Sequence, residues 1–388
     1  MNYKRMSGSA YADSKPHFEA LNGLRGVAAL MVIWYHVFEA FATSPIDQRF
    51  NHGYLAVDFF FVLSGFVISY AYDDRWHRMS VKDFFKRRII RLHPLVVIGA
   101  LFGVITFMIQ GSVQWDGTKV SPSWIIISLL LSLFLIPALP GSGAEVRGNG
   151  EMFPLNGPSW SLFFEYIANI FYALFLRRLP IRALASVVIA TGIGLAYYSI
   201  AGLSGYGNLG VGWSLLDNNL LGGSLRIMFS FSAGMLVSRI FKPSKIKGAF
   251  WIASAAIIIL LSIPYVGNEN STWINGIYDS VVVILIFPLL VFMGASDYSN
   301  KSKSSNKSLQ KIYRFLGDIS YPLYIIHYPF MYLYYAWAWS HEPSLTFAQT
   351  WPIALVLFFG NIALAYVVMK FYDIPIRRWL SNKFIYRK

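Results

Sequence analysis

Cysteine is absent from this chain. That excludes disulfides, cysteine-ligated metals and any acyl-cysteine intermediate, and it leaves the redox compartment open. Charge is scarce as well, at 13% of residues against 56% hydrophobic, with a mean hydropathy of +0.49. A soluble globular domain carries about twice that charge. No HExxH metal pair and no glycine-rich phosphate loop occurs, and no internal repeat is visible. Acidic residues are the scarcer sign, 19 against 33 basic, for a net charge of +14. That surplus would suit nucleic acid. In so apolar a chain it fits better the Lys and Arg that membrane proteins collect on cytoplasmic loops, so no nucleic-acid partner is expected.

What the chain does have is long hydrophobic runs. Spans are expected near Leu21–Ala42, Gly53–Tyr72, Pro94–Gln110, Pro158–Leu176 and Ala183–Gly202. Others are expected near Gly222–Ser238, Ala249–Val266, Ile274–Gly294, Phe315–Trp339 and Trp351–Phe371. Each approaches the roughly 20 residues that a bilayer crossing needs. The fold class is therefore all-α, a polytopic membrane bundle with about ten crossings. The first run has no small-residue cleavage site and reads as an uncleaved span. Domain limits follow: a tail over 1–17, a membrane domain over 18–372 and a second tail over 373–388.

Loop charge sets the orientation. With the N-terminus inside, twenty-seven of the 33 basic residues fall on inside segments. Arg49, Lys119 and Arg147 fall outside, and Arg25, Arg226 and Lys370 lie within spans. Both termini are then cytoplasmic, and the membrane is expected to be the inner membrane of a bacterium. This map holds if the short run Trp124–Leu139, which ends among Pro137 and Pro140, does not cross. That run is expected to be re-entrant or interfacial. The polar stretch Lys301–Lys311 reads as a solvated linker.

Titratable residues within apolar runs are the candidates for function, because burying a charge in lipid costs at least ~2.5–3.5 kcal/mol. Arg25, His36, Glu39 and Asp58 are such residues. Arg25 and His36 are eleven apart, which puts them on one helix face about 16 Å apart along the axis. Asp58 enters the antiparallel second span at a depth similar to His36, so an Asp58–His36 pair is expected, the carboxylate orienting the imidazole. Glu165 is expected near that same depth. Arg88 and Arg91, three apart in VKDFFKRRIIRLHP, share a face and would suit phosphates. An ordinary positive-inside loop would give the same stretch. His327, mid-span, could equally bridge helices. A nucleotide-like anion with a long thin arm fits the whole set, its phosphates on the arginines and its reactive end near His36.

These segments resemble the acyltransferase family 3 membrane proteins, which acylate sugars of surface polysaccharides, lipopolysaccharide, Nod factors and some antibiotics. The resemblance rests on LNGLRGVAALMVIWYH, GYLAVDFFFVLSGFVIS, FFKRRIIRLHPL, WSLFFE and ISYPLYIIHYP, in order over Leu21–Pro329. It implies a catalytic His36 with Asp58, an acyl-CoA donor held by Arg25, Arg88 and Arg91, and no permanently bound cofactor. Glu165, Trp160, Ser64 and His327 stand as acceptor-binding or supporting residues. The donor would usually be acetyl-CoA, and the acceptor a carbohydrate or lipid-linked glycan hydroxyl. His36 would act as general base or carry the acyl group transiently. Two departures bear on the acceptor subgroup: EYIANIFY follows the WSL element, and the C-terminal element reads YDIPIRRWL with Asp373 displaced. The extracellular esterase-like domain of some relatives is not in this sequence, so the membrane domain is expected to complete the transfer. The rival reading is a proton-coupled transporter built on the same Arg, His and Asp.

Overall fold

The computed structural model describes residues 18–242, 244–297 and 307–386. The expected tail 1–17 and most of the linker Lys301–Lys311 lie outside the described residues. Thirteen α-helices carry the described chain: α1 Glu19–Glu39, α2 Ala56–Tyr72, α3 Val81–Ile109, α4 Pro122–Leu133, α5 Ser159–Leu174, α6 Ile181–Ile200 and α7 Asn219–Ile240. They continue with α8 Ala249–Ser262, α9 Thr272–Val281, α10 Phe287–Ala295, α11 Lys307–Trp339, α12 Phe347–Val368 and α13 Ile374–Phe384. Single π-helical turns join α9 to α10 and α12 to α13. No strand forms among the described residues, only isolated bridges.

The protein is an all-helical polytopic membrane protein. Eight helical segments among the described residues are long and apolar enough to cross a bilayer. The ten expected spans all fall on helices, but α8 has 14 residues, about 21 Å, and α11 is rich in tyrosine and charge. The 12-residue α4 reaches only about 18 Å against a hydrocarbon core of about 30 Å, too short to cross. No break falls at the expected 372/373 boundary. The helix runs on through the π turn to Phe384.

Two close pairs hold the centre. α1 lies along α11, where a Cβ at Gly26 would strike the Leu316 backbone and one at Gly317 would strike Asn22. α2 lies along α7. There Gly65 abuts the Phe231 carbonyl and Gly234 abuts the Val62 carbonyl. In lipid, where hydrophobicity gives helices no reason to associate, such small residues let backbones meet and gain dispersion contact.

The helix ends are tied at both faces. At the face holding the start of α1, Arg239 bonds Asp73 at 2.8 Å and the Leu179 carbonyl at 2.7 Å. At the opposite face, the connections over 134–158 and 201–218 form a cap. It is stitched by Met152 N–H to the Trp213 carbonyl (2.9 Å) and Ala138 N–H to the Met152 carbonyl (2.8 Å).

Candidate active site: two cavities sharing a wall

His36 is set in the last turn of α1, three residues before Glu39. Spacing of i, i+3 puts both on one helix face, and their side chains meet with Nδ1 2.7 Å from Glu39 Oε2. A carboxylate oxygen accepts, so Nδ1 carries the proton and Nε2 keeps its lone pair. The Tyr335 hydroxyl, on α11, lies 2.8 Å from the same carboxylate oxygen and 2.7 Å from the His36 carbonyl. The Tyr328 ring stands edge-on to the imidazole at 4.6 Å, and His327 lies 5.4 Å away. His327 is fully buried. Its Nδ1 donates to the Leu323 carbonyl at 3.1 Å, which leaves Nε2 a buried acceptor with no hydrogen-bond partner among the described residues.

The expected Asp58–His36 pair is not formed. Asp58 faces α7, where Arg226 Nη2 reaches it at 2.7 Å and Ser230 at 3.4 Å. Both partners are almost wholly buried. An intramembrane arginine needs a buried counter-ion, and Asp58 supplies it. Arg226, in LLGGSLRIMF, was the visible sign of that demand. The acidic residue three after His36 was the visible sign of the other pair.

His36, Glu39, Tyr328 and Tyr335 line a cavity of about 450 Å³. Trp160 lines it too, along with Trp115 and Trp339 and, from the cap, Trp213, Asn149, Asn208 and Glu151. Glu151 lies outside the spanning helices and accepts from Asn149 at 2.9 Å and from the Tyr332 hydroxyl. Burial pushes its carboxyl up to about 7, against the opposing pull of Arg147.

A second cavity, about 140 Å³, lies toward the start of α1. It brings together Arg88 and Arg91, as their spacing predicts, with Arg25, Glu165 and Ser64. This corrects the expected placement of Glu165 near the depth of His36. Glu165 accepts from Arg88 Nη2 at 2.7 Å and from Ser64 at 3.0 Å. The rise along α5 explains it: Trp160 faces one cavity, while Glu165, five residues and about 7.5 Å deeper, faces the other. Arg25 is also engaged, donating to Ser320 at 2.7 Å and to the Gly317 carbonyl at 2.8 Å.

Val57 and Tyr324 line both cavities and so form the wall between them. The Tyr324 hydroxyl is 2.8 Å from Ser161 Oγ.

A family model described as an acyltransferase domain matches residues 18–370. The chain belongs to the acyltransferase 3 family. Among relatives, Protein 2 in the picA locus of Rhizobium radiobacter is 31% identical over 45% of this chain and 91% of its own length. Acyltransferase MdmB of Streptomyces mycarofaciens is 31% identical over 42% of this chain and 41% of its own. A Staphylococcus aureus (strain COL) protein, SACOL0978, whose name proposes an O-acetyltransferase, is 24% identical over 82% of this chain and 52% of its own. This chain thus spans about half the length of the latter two. No solved structure matches it. Family and helices together make it a membrane acyltransferase with an acyl donor and an acceptor.

Proposed function

We propose that the protein is an O-acetyltransferase, moving an acetyl group from cytoplasmic acetyl-CoA to a hydroxyl of a cell-surface or lipid-linked carbohydrate. The observation that carries this reading is the pair of cavities meeting at Val57 and Tyr324. Loop charge makes the arginine cavity the cytoplasmic one, in a bacterial inner membrane with both termini inside. The donor's thin arm enters there and passes Tyr324 toward His36. The acceptor enters the larger cavity from outside. Its indole faces and amide groups suit a sugar, which offers both apolar C–H faces and hydroxyls.

His36 Nε2 takes the proton of the acceptor hydroxyl while its oxygen attacks the thioester carbonyl. The C–S bond breaks, and the thiolate leaving group takes that proton back from the imidazolium. Glu39 fixes the tautomer and stabilises the imidazolium. Tyr335 holds Glu39 in place.

The test is release of free CoA from acetyl-CoA by the purified protein in lipid with a glycan acceptor. His36→Ala should lower that rate by about 10²–10⁴-fold, the usual weight of a general base. Near wild-type turnover in this variant would remove His36 from the chemistry. Proton-coupled sugar uptake without CoA release would establish the transporter instead.

A further inference from the structure

The 140 Å³ chamber that holds Arg25 and Arg88 has little room for a nucleotide. A third cavity is larger. It is an open groove of about 350 Å³ between the start of α3 and α13. Arg87 and Arg91 from α3 and Arg377 and Arg378 from α13 line it, with no acidic residue in its lining. Arg377 is held by Asp373 at 2.6 Å, yet its buried Nε has no hydrogen-bond partner among the described residues. Tyr72 and Tyr386 add aromatic surface. Arg91 lines both this groove and the inner chamber, so the two adjoin at that side chain.

The groove exists because the last helix overshoots. Phe347–Phe384 is 38 residues long, about 57 Å against a core of about 30 Å. Its end, α13, therefore stands at the surface with no buried residue and turns its arginines toward α3.

We propose that this groove binds the phosphorylated nucleotide end of the donor, with the 3′-phosphate on Arg378 and Arg87, while Arg25 and Arg88 line the passage of the arm. Four guanidinium groups in one concave site fit a multiply charged phosphate ligand through forked hydrogen bonds. The aromatic rims offer stacking surface to a base. The inference rests on the acyl-CoA reading given above. An anionic lipid headgroup shares the phosphate chemistry, so the experiment separates the two.

The measurement is kcat/KM of the full-length protein for acetyl-CoA and for acetyl-3′-dephospho-CoA, in neutral lipid and with anionic lipid added. The wild type should prefer the 3′-phosphorylated donor by at least about tenfold, one lost charged contact. Arg378→Gln and, independently, Arg87→Gln should bring the two donors near parity by raising KM for acetyl-CoA, with kcat and acceptor KM kept. Equal use of both donors by the wild type, or an unchanged preference in both variants, overturns the inference while leaving the acyl-CoA reading intact. Variant defects equal for both donors and present only with anionic lipid assign the groove to lipid, which also overturns it. No turnover of either donor by the wild type overturns the acyl-CoA reading, and this inference with it.

Discussion

At the scale of single residues, Glu39 holds the place beside the imidazole that was expected for Asp58. Glu39 contacts the imidazole; Asp58 neutralises Arg226 deep in the bundle. Their variants should therefore fail differently. Glu39→Gln should keep the fold and lower kcat by about 10²-fold or more, because the amide no longer fixes the tautomer or stabilises the imidazolium. Asp58→Asn should instead lower thermal stability, since removing one partner of a buried ion pair costs about 3–5 kcal/mol. Unfolding in detergent and turnover in lipid, measured on both variants, separate the roles. Equal stability loss in both would make Glu39 a packing residue.

Glu151 gives a pH dependence. Its carboxyl is pushed up from 4.5 to about 7, so between those values the folded protein holds a proton that the unfolded chain has released. Stability should then fall as pH rises from about 4.5 to about 7 and level off above. Glu151→Gln should flatten that slope in thermal unfolding followed from pH 5 to 8. An unchanged slope would mean that Glu151 titrates normally.

At the scale of elements, the α2–α7 contact is set by glycine. A Cβ at Gly65 meets a main-chain carbonyl, which cannot swing away as a side chain can. Gly65→Ala should destabilise the protein by about 1–3 kcal/mol, the range of overpacking. Gly360, on α12, has open space where a Cβ would go. Gly360→Ala should be neutral or slightly stabilising by helix propensity. Thermal unfolding of the two variants side by side reads this directly, and equal effects would show that α2 and α7 can separate without loss. The same contact orients Asp58, because a helix pressed against α7 along its glycine face turns its carboxylate to Arg226.

At the scale of the whole molecule, the cavities follow from topology. The cap over 134–158 and 201–218 roofs the His36 cavity, and the arginine chamber lies at the other end of the bundle. A reporter inserted at exposed Gly205 should read external and one at Arg178 cytoplasmic. A cytoplasmic reading at Gly205 would reverse the sides assigned to donor and acceptor.

The all-helical membrane architecture was determined by the sequence alone, because apolar runs of bilayer length have few other soluble or folded outcomes. The shared face of Arg88 and Arg91 was also legible, since helix spacing acts locally. The positions of His36 near the end of α1 and of Asp58 near the start of α2 were readable along each span. Their partners were not. Depth counts residues along an axis, whereas a partner depends on the rotation of each helix about that axis, and rotation is decided by packing. Gly65 and Gly234 set it for α2 and α7, sending Asp58 to Arg226 and leaving His36 to Glu39 on its own helix. Glu165 was misplaced for a different reason: only the packed bundle determines where one cavity stops and the next begins, at Val57 and Tyr324.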